Sequence, residues 1–187
     1  MTINVREKTI EEIQKRLKKM STDFNKLDYL ESAIKTGSYN FEVKRFLYGE
    51  LASLYEEKKL YGKAVKAMAN KAASGVMKKE KIEDFMAAAE LYAKLGRIEE
   101  AENMFLRAKR EATVPERASV TLARKNIYLV TAKNLEAKGK KATAIAFYEK
   151  LLKMKLDESE KEEIKKTLLD RYKALGMFRE ARMLSGD

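Results

Sequence analysis

Apolar residues recur at helical spacing along almost the whole chain. Ile10, Ile13, Leu17 and Met20 step by three or four positions, which places them on one stripe of a first helix from about Val5 to Met20. Ser21, Thr22 and Asp23 offer N-caps to a second helix on which Phe24, Leu27, Leu30 and Ile34 align. Gly37, after Thr36, reads as its stop. These two helices make a capping hairpin over residues 1–39. The pattern then predicts helices at about 40–58 and 61–74, 79–95 and 98–112, 115–138 and 141–154, then 158–175 and 178–184. Asp157 with Glu160 three residues on resembles a capping box, and Thr113 before Pro115 marks another start. One proline and eight glycines leave little room for turn-rich β structure.

The second part of the chain repeats itself. Ala64, Ala101, Ala144 and Ala181 can be aligned, with Lys59, Gly96, Gly139 and Gly176 five residues before them. Nine residues before stand Tyr55, Tyr92, Leu135 and Tyr172, and twelve before stand Ala52, Ala89, Ala132 and Leu169. Four residues after come Met68, Phe105, Tyr148 and Ser185. Each unit reads as a helix, a tight turn at glycine and a second helix. The alanine lets the two helices approach closely, and glycine fits where the first must end with positive φ. Lys59 stands where the other units have glycine, so that turn is either built differently or strained. The units span 40–78, 79–114, 115–156 and 157–187.

These residues carry a resemblance. Phe85, Ala88, Ala89, Tyr92, Gly96, Ala101, Phe105 and Ala108 look like the tetratricopeptide repeat, as do Tyr48, Leu51, Ala52, Tyr55, Ala64 and Met68. Tyr128, Ala132, Leu135, Gly139, Ala144, Tyr148 and Leu151 are similar, and so are Leu168, Leu169, Tyr172, Gly176 and Ala181. The likeness covers roughly residues 41–187. It implies an all-α, right-handed α-solenoid of about five antiparallel helical hairpins, and a non-catalytic protein–protein interaction scaffold or adaptor. Two departures stand out. The alanines are 37, 43 and 37 residues apart where the family usually has 34, and Pro115 is the only proline. They suggest an irregular stack of the kind seen in vesicle-fusion adaptors.

Composition narrows the function. Apolar residues make up 45% of the 187 and charged residues 37%, too hydrophobic for a disordered tail and too charged for a membrane protein. Residues 1–7 hold no apolar core for a leader, and the absence of cysteine suits a reducing compartment, so a cytoplasmic protein is expected. With no histidine or cysteine, the commonest acid–base catalyst, metal ligands and thiol nucleophile are missing, and no glycine-rich phosphate loop occurs. Glu99, Glu100 and Glu102, like Glu158, Glu160, Glu162 and Glu163, lie near helix starts, where acidic side chains complement the macrodipole. No enzyme, cofactor or metal is expected.

The net charge of +11 is uneven: ten Lys and Arg face three Asp and Glu between residues 116 and 155. Such a surplus favours an anionic partner. Lys58, Lys59 and Lys63 flank the first repeat's turn, Arg97 the second, Lys138, Lys140 and Lys141 the third, and Arg179 the fourth. In a hairpin stack these turns share one edge and form a basic ridge. Cations at a helix end help its dipole, which accounts for Lys58, but Lys63, Lys140, Lys141 and Arg179 open the next helix and act against its dipole. The ridge therefore points to a partner with an acidic surface or, as a second reading, to nucleic-acid phosphates. The resemblance also puts Glu83, Glu90, Asn126 and Lys133 on a concave face formed by the first helices. They do not reproduce the Lys/Asn pattern that grips a peptide's terminal carboxylate in some family members.

Tyr55, Tyr92, Phe105, Tyr148 and Tyr172 occupy packing positions, which favours core over base stacking. Lys8, Lys15, Arg16, Lys18 and Lys19 sit opposite the first helix's apolar stripe, interspersed with Glu7, Glu11 and Glu12, and read as a solvated face on a capping helix rather than a membrane surface. The short last unit leaves Met177, Phe178, Met183 and Leu184 as apolar surface, from which a homo-oligomer joined through that end is a further expectation.

Overall fold

A computed structural model describes residues 5–186 as ten α-helices, with no strand among the described residues. They are α1 (Ile10–Lys18), α2 (Asp23–Thr36), α3 (Phe41–Glu57), α4 (Tyr61–Ala73) and α5 (Lys78–Lys94), followed by α6 (Ile98–Glu111), α7 (Val114–Ala137), α8 (Lys141–Leu152), α9 (Glu158–Ala174) and α10 (Phe178–Ser185). The expected outer limits, residues 1 and 187, lie outside the described part. Packing runs between chain neighbours from α2 to α10, with α5 also touching α7.

The first helix is shorter than its apolar stripe suggests, because a cap fixes its start. The Thr9 hydroxyl accepts the Glu12 N–H at 3.3 Å, and the Glu12 carboxylate accepts the N–H groups of Thr9 and Lys8 at 3.2 and 2.8 Å. The residues before it are pinned instead onto neighbouring elements. The Tyr29 hydroxyl donates to the Glu7 carboxylate at 3.1 Å, and that of Tyr39 donates to the Glu7 carbonyl at 3.2 Å.

The four repeats keep one frame. All four first helices end seven residues ahead of the aligned alanine, and all four second helices start three ahead of it. The turns between them are alike. Lys59, Gly96, Gly139 and Gly176 have φ of 59°, 75°, 73° and 70°. In each, the next residue's N–H donates five residues back, Leu60 to Tyr55, Arg97 to Tyr92, Lys140 to Leu135 and Met177 to Tyr172, at 2.8–2.9 Å. Lys59 thus adopts the glycine conformation: the turn is kept and its strain is carried.

One helix breaks the frame. α3, α5 and α9 start 23 residues ahead of their alanine, whereas α7 starts 30 ahead. The wide spacing between Ala101 and Ala144 is therefore extra helix. α7 runs for 24 residues against 17 for its counterparts, while the connector before it shrinks to Ala112 and Thr113. Seven residues add about 10 Å of rod at the N-terminal end of α7. The Glu116 carboxylate fixes that end by accepting the Thr113 N–H at 2.8 Å and its hydroxyl at 2.6 Å.

Ala64, Ala101 and Ala144 are fully buried and Ala181 nearly so. Two apolar clusters meet inside α4, whose Ala64 and Ala67 face an N-terminal core while Val65, Ala69 and Ala72 belong to the larger one. At the centre of the latter, Tyr128 lies edge-on between Phe105 and Phe147, with ring centroids 5.5 and 5.2 Å away, and ties α6, α7 and α8 together.

Candidate functional site

The basic residues at the intra-hairpin turns divide into two sets. Lys58 donates to Asp23 across 2.7 Å, and this bond holds the Asp23 carboxyl below its ordinary range and raises Lys58. Lys63 pairs with Glu31 at 3.7 Å and lies over the Tyr55 ring, 5.3 Å from its centroid. Arg97 pairs with Glu100 and stacks on Tyr92 at 5.2 Å. Its hydrogen bond to Glu100 lowers that carboxyl. Lys59, Lys138, Lys140, Lys141 and Arg179 are exposed, with no carboxylate within 4.0 Å among the described residues.

The second and third of these turns lie together. The Thr143 γ-methyl at the start of α8 stands 3.0 Å from where a Cβ on Gly96 would be. Lys94 and Lys138 line one small cleft of about 230 Å³ beside these turns. The first turns of α4 and α8 hold no acidic residue; Lys63 is offset by Glu31 from α2, whereas Lys141 meets its helix dipole uncompensated. No family model matches the chain, and no curated protein matches it.

Of the residues expected on the face of the first helices, two come together. Asn126 and Lys133 line a cleft of about 160 Å³ between α7 and α9, floored by Leu129, Leu151 and Ile164. Glu90 on α5 is engaged with Lys94 at 2.7 Å, and Glu83 is exposed outside that cleft. The α7–α9 cleft is bounded by Lys125, which pairs with Glu160. Lys125 also borders a second, larger concavity of about 390 Å³ farther along α7. The two clefts thus follow one helix and meet at an ion pair.

The larger concavity holds residues not singled out from the sequence: Lys109, Arg117 and Lys155 on its rim, with Ala118, Leu122 and Met154 beneath. Two signals pointed there, the 43-residue spacing and the basic surplus between residues 116 and 155. The extra helix carries Arg117 and Ala118, and of the basic surplus Arg117, Lys125 and Lys155 line the concavity.

The aromatic residues at the repeated packing positions are used internally. Tyr55, Tyr92, Phe105, Tyr148 and Tyr172 are buried. The Tyr128 hydroxyl donates to Glu102 at 2.7 Å and that of Tyr172 to Glu149 at 2.7 Å, while Tyr148 donates to Glu136 at 3.2 Å. Burial first, and then these carboxylates, raise the phenols: Tyr148 is pushed up to about 12, and Tyr128 and Tyr172 beyond it. Among the described residues no group of three His, Cys, Asp or Glu side chains is placed to hold a metal ion, and no helix is long and apolar enough to cross a membrane. At the C-terminal end, Phe178 and Met183 are 62% and 75% exposed, while Met177 and Leu184 pack partly on the core.

Proposed function

We propose that this chain is a non-catalytic protein–protein interaction scaffold, a right-handed tetratricopeptide-like solenoid that receives a segment of another protein along α7. One observation carries the reading: two clefts follow that helix in a frame otherwise repeated from hairpin to hairpin. Clefts between repeated helices are suited to an extended or helical segment. Self-association through α10 belongs to the same proposal, since Phe178 and Met183 offer apolar area there; a molecular mass independent of concentration would remove it.

A second reading, nucleic-acid phosphates held along the turns, is favoured by the unpaired cluster Lys138, Lys140 and Lys141. Affinity capture at two salt concentrations separates the two. A scaffold retains a defined protein at stoichiometric levels, whereas phosphate binding puts the protein on a DNA or heparin column and fades steeply with salt. Substituting Lys138, Lys140 and Lys141 by Glu abolishes column retention under the second reading and leaves a partner seated along α7 in place under the first.

A further inference from the structure

We infer that the overhang of α7 builds a docking cleft for an acidic segment of a partner protein that inserts an apolar side chain. The inference rests on the scaffold reading and adds the partner's chemistry and its seat. The cleft is lined by Lys109 from α6, by Arg117, Ala118, Thr121, Leu122 and Lys125 from α7, and by Met154 and Lys155 after α8. Four of these eight are cationic and none is acidic. Lys125 is neutralised by Glu160, but Lys109, Arg117 and Lys155 have no carboxylate within 4.0 Å among the described residues.

The acidic residues of α6 and α7 are already engaged elsewhere. Glu111 pairs with Lys81 at 2.5 Å and Glu102 with Arg124 at 2.5 Å, while Glu116 caps α7. The positive field of the rim is thus left uncancelled and suits a negative ligand. Arg117 is held in place, since its Nε donates to the Ala112 carbonyl at 3.2 Å.

The floor selects among anions. Leu122 is 55% exposed, and Met154 packs on the core from the other side. A phosphodiester strand has no use for an aliphatic floor, and the lining has no aromatic platform for a base. A peptide with carboxylates around a leucine or similar side chain uses both parts: apolar insertion gives affinity, and the rim sets orientation and encounter rate. At about 390 Å³ the cleft falls near the lower end of ligand-sized cavities.

The test titrates a labelled, glutamate-rich peptide with leucines at every third or fourth position into protein carrying methyl-labelled methionine. Among the nine methionines, the Met154 resonance is expected to shift. Lys109→Glu with Lys155→Glu weakens binding roughly tenfold, and Leu122→Ser does the same without changing net charge. All three positions are exposed or rim-facing, and unchanged melting temperatures confirm that the variants fold.

An unmoved Met154 overturns the inference. So does an oligothymidylate of equal charge that shifts Met154 as strongly and ignores Leu122→Ser. The scaffold reading fails separately. A captured partner that binds the Lys109→Glu/Lys155→Glu protein as tightly as the native chain overturns the cleft alone, whereas the lack of any stoichiometric protein partner overturns the scaffold.

Discussion

Replacing Lys59 by glycine should make the protein more stable, although it deletes a whole side chain. Lys59 has φ of 59°, in the left-handed region that L-residues enter at a cost of about 1–2 kcal/mol. Glycine removes that cost, but the unfolded chain regains about 0.4–1 kcal/mol of freedom. At the middle of these ranges the net gain is about 0.8 kcal/mol, or roughly 2–3 °C in melting temperature for a chain of this size. Gly139→Ala is the mirror experiment. An added Cβ there meets nothing within 4 Å, so only φ of 73° opposes it, and a loss of about 1 kcal/mol follows. Gly96→Ala adds a clash with the Thr143 γ-methyl at 3.0 Å and costs about 1 kcal/mol more. Thr143→Ser, which removes that methyl, should bring Gly96→Ala back to the level of Gly139→Ala. Urea denaturation of the series gives the order directly. If Lys59→Gly is neutral or destabilising while Gly139→Ala is silent, the four turns do not share one left-handed geometry and the common frame fails.

Ala101→Leu overpacks a fully buried crossing between helices and should cost about 1–3 kcal/mol in urea unfolding. Tyr128→Phe leaves Glu102 to Arg124 alone and should cost about 1–2 kcal/mol by the same measurement. Stability should fall on the alkaline side: the phenols titrate higher folded than unfolded, so their contribution is complete below pH 10.0 and is lost as pH rises through about 12 for Tyr148. Thermal melts across that window, with an ultraviolet tyrosine titration alongside, check it. Lys141→Glu places an acid in the first turn of α8 and should stabilise by about 0.3–1 kcal/mol; a simultaneous loss of partner binding would show that the lysine is kept for function.

Much of the helical layout was legible because helix ends here are written in local chemistry. The glycine turns, the Asp157–Glu160 box and the Thr113–Pro115 start each involve only a few adjacent residues. The start of α1 differs from the one its apolar stripe predicts, because a stripe says which face is buried and nothing about where the rod begins; Thr9 and Glu12 decide that. A lysine at position 59 fits either a strained turn or a different one, so only its φ of 59° decides between them.

The candidate site was less legible. Spacing revealed that residues were added between Ala101 and Ala144, but helix and loop insertions look the same in a count. Which cations stay unpaired depends on side chains far away in sequence, such as Asp23 for Lys58 and Glu160 for Lys125. The cleft at Leu122 depends on α6, α7 and the segment after α8 converging.

The sharing of α4 between two cores has a consequence for how the molecule comes apart. Because packing runs mainly between chain neighbours, the two ends are coupled chiefly through this rod, helped by Leu91 of α5, which packs on both cores, and by Arg45 of α3, which bonds to Glu80 and Asp84 of α5. A substitution on the Ala67 side loosens the amino-terminal half directly, yet every such loss is transmitted to Val65 and Ala72 on the opposite flank. α4 thus acts as a clutch: while it holds, the halves melt as one cooperative unit, and once it slips the protein should unfold in two separate steps.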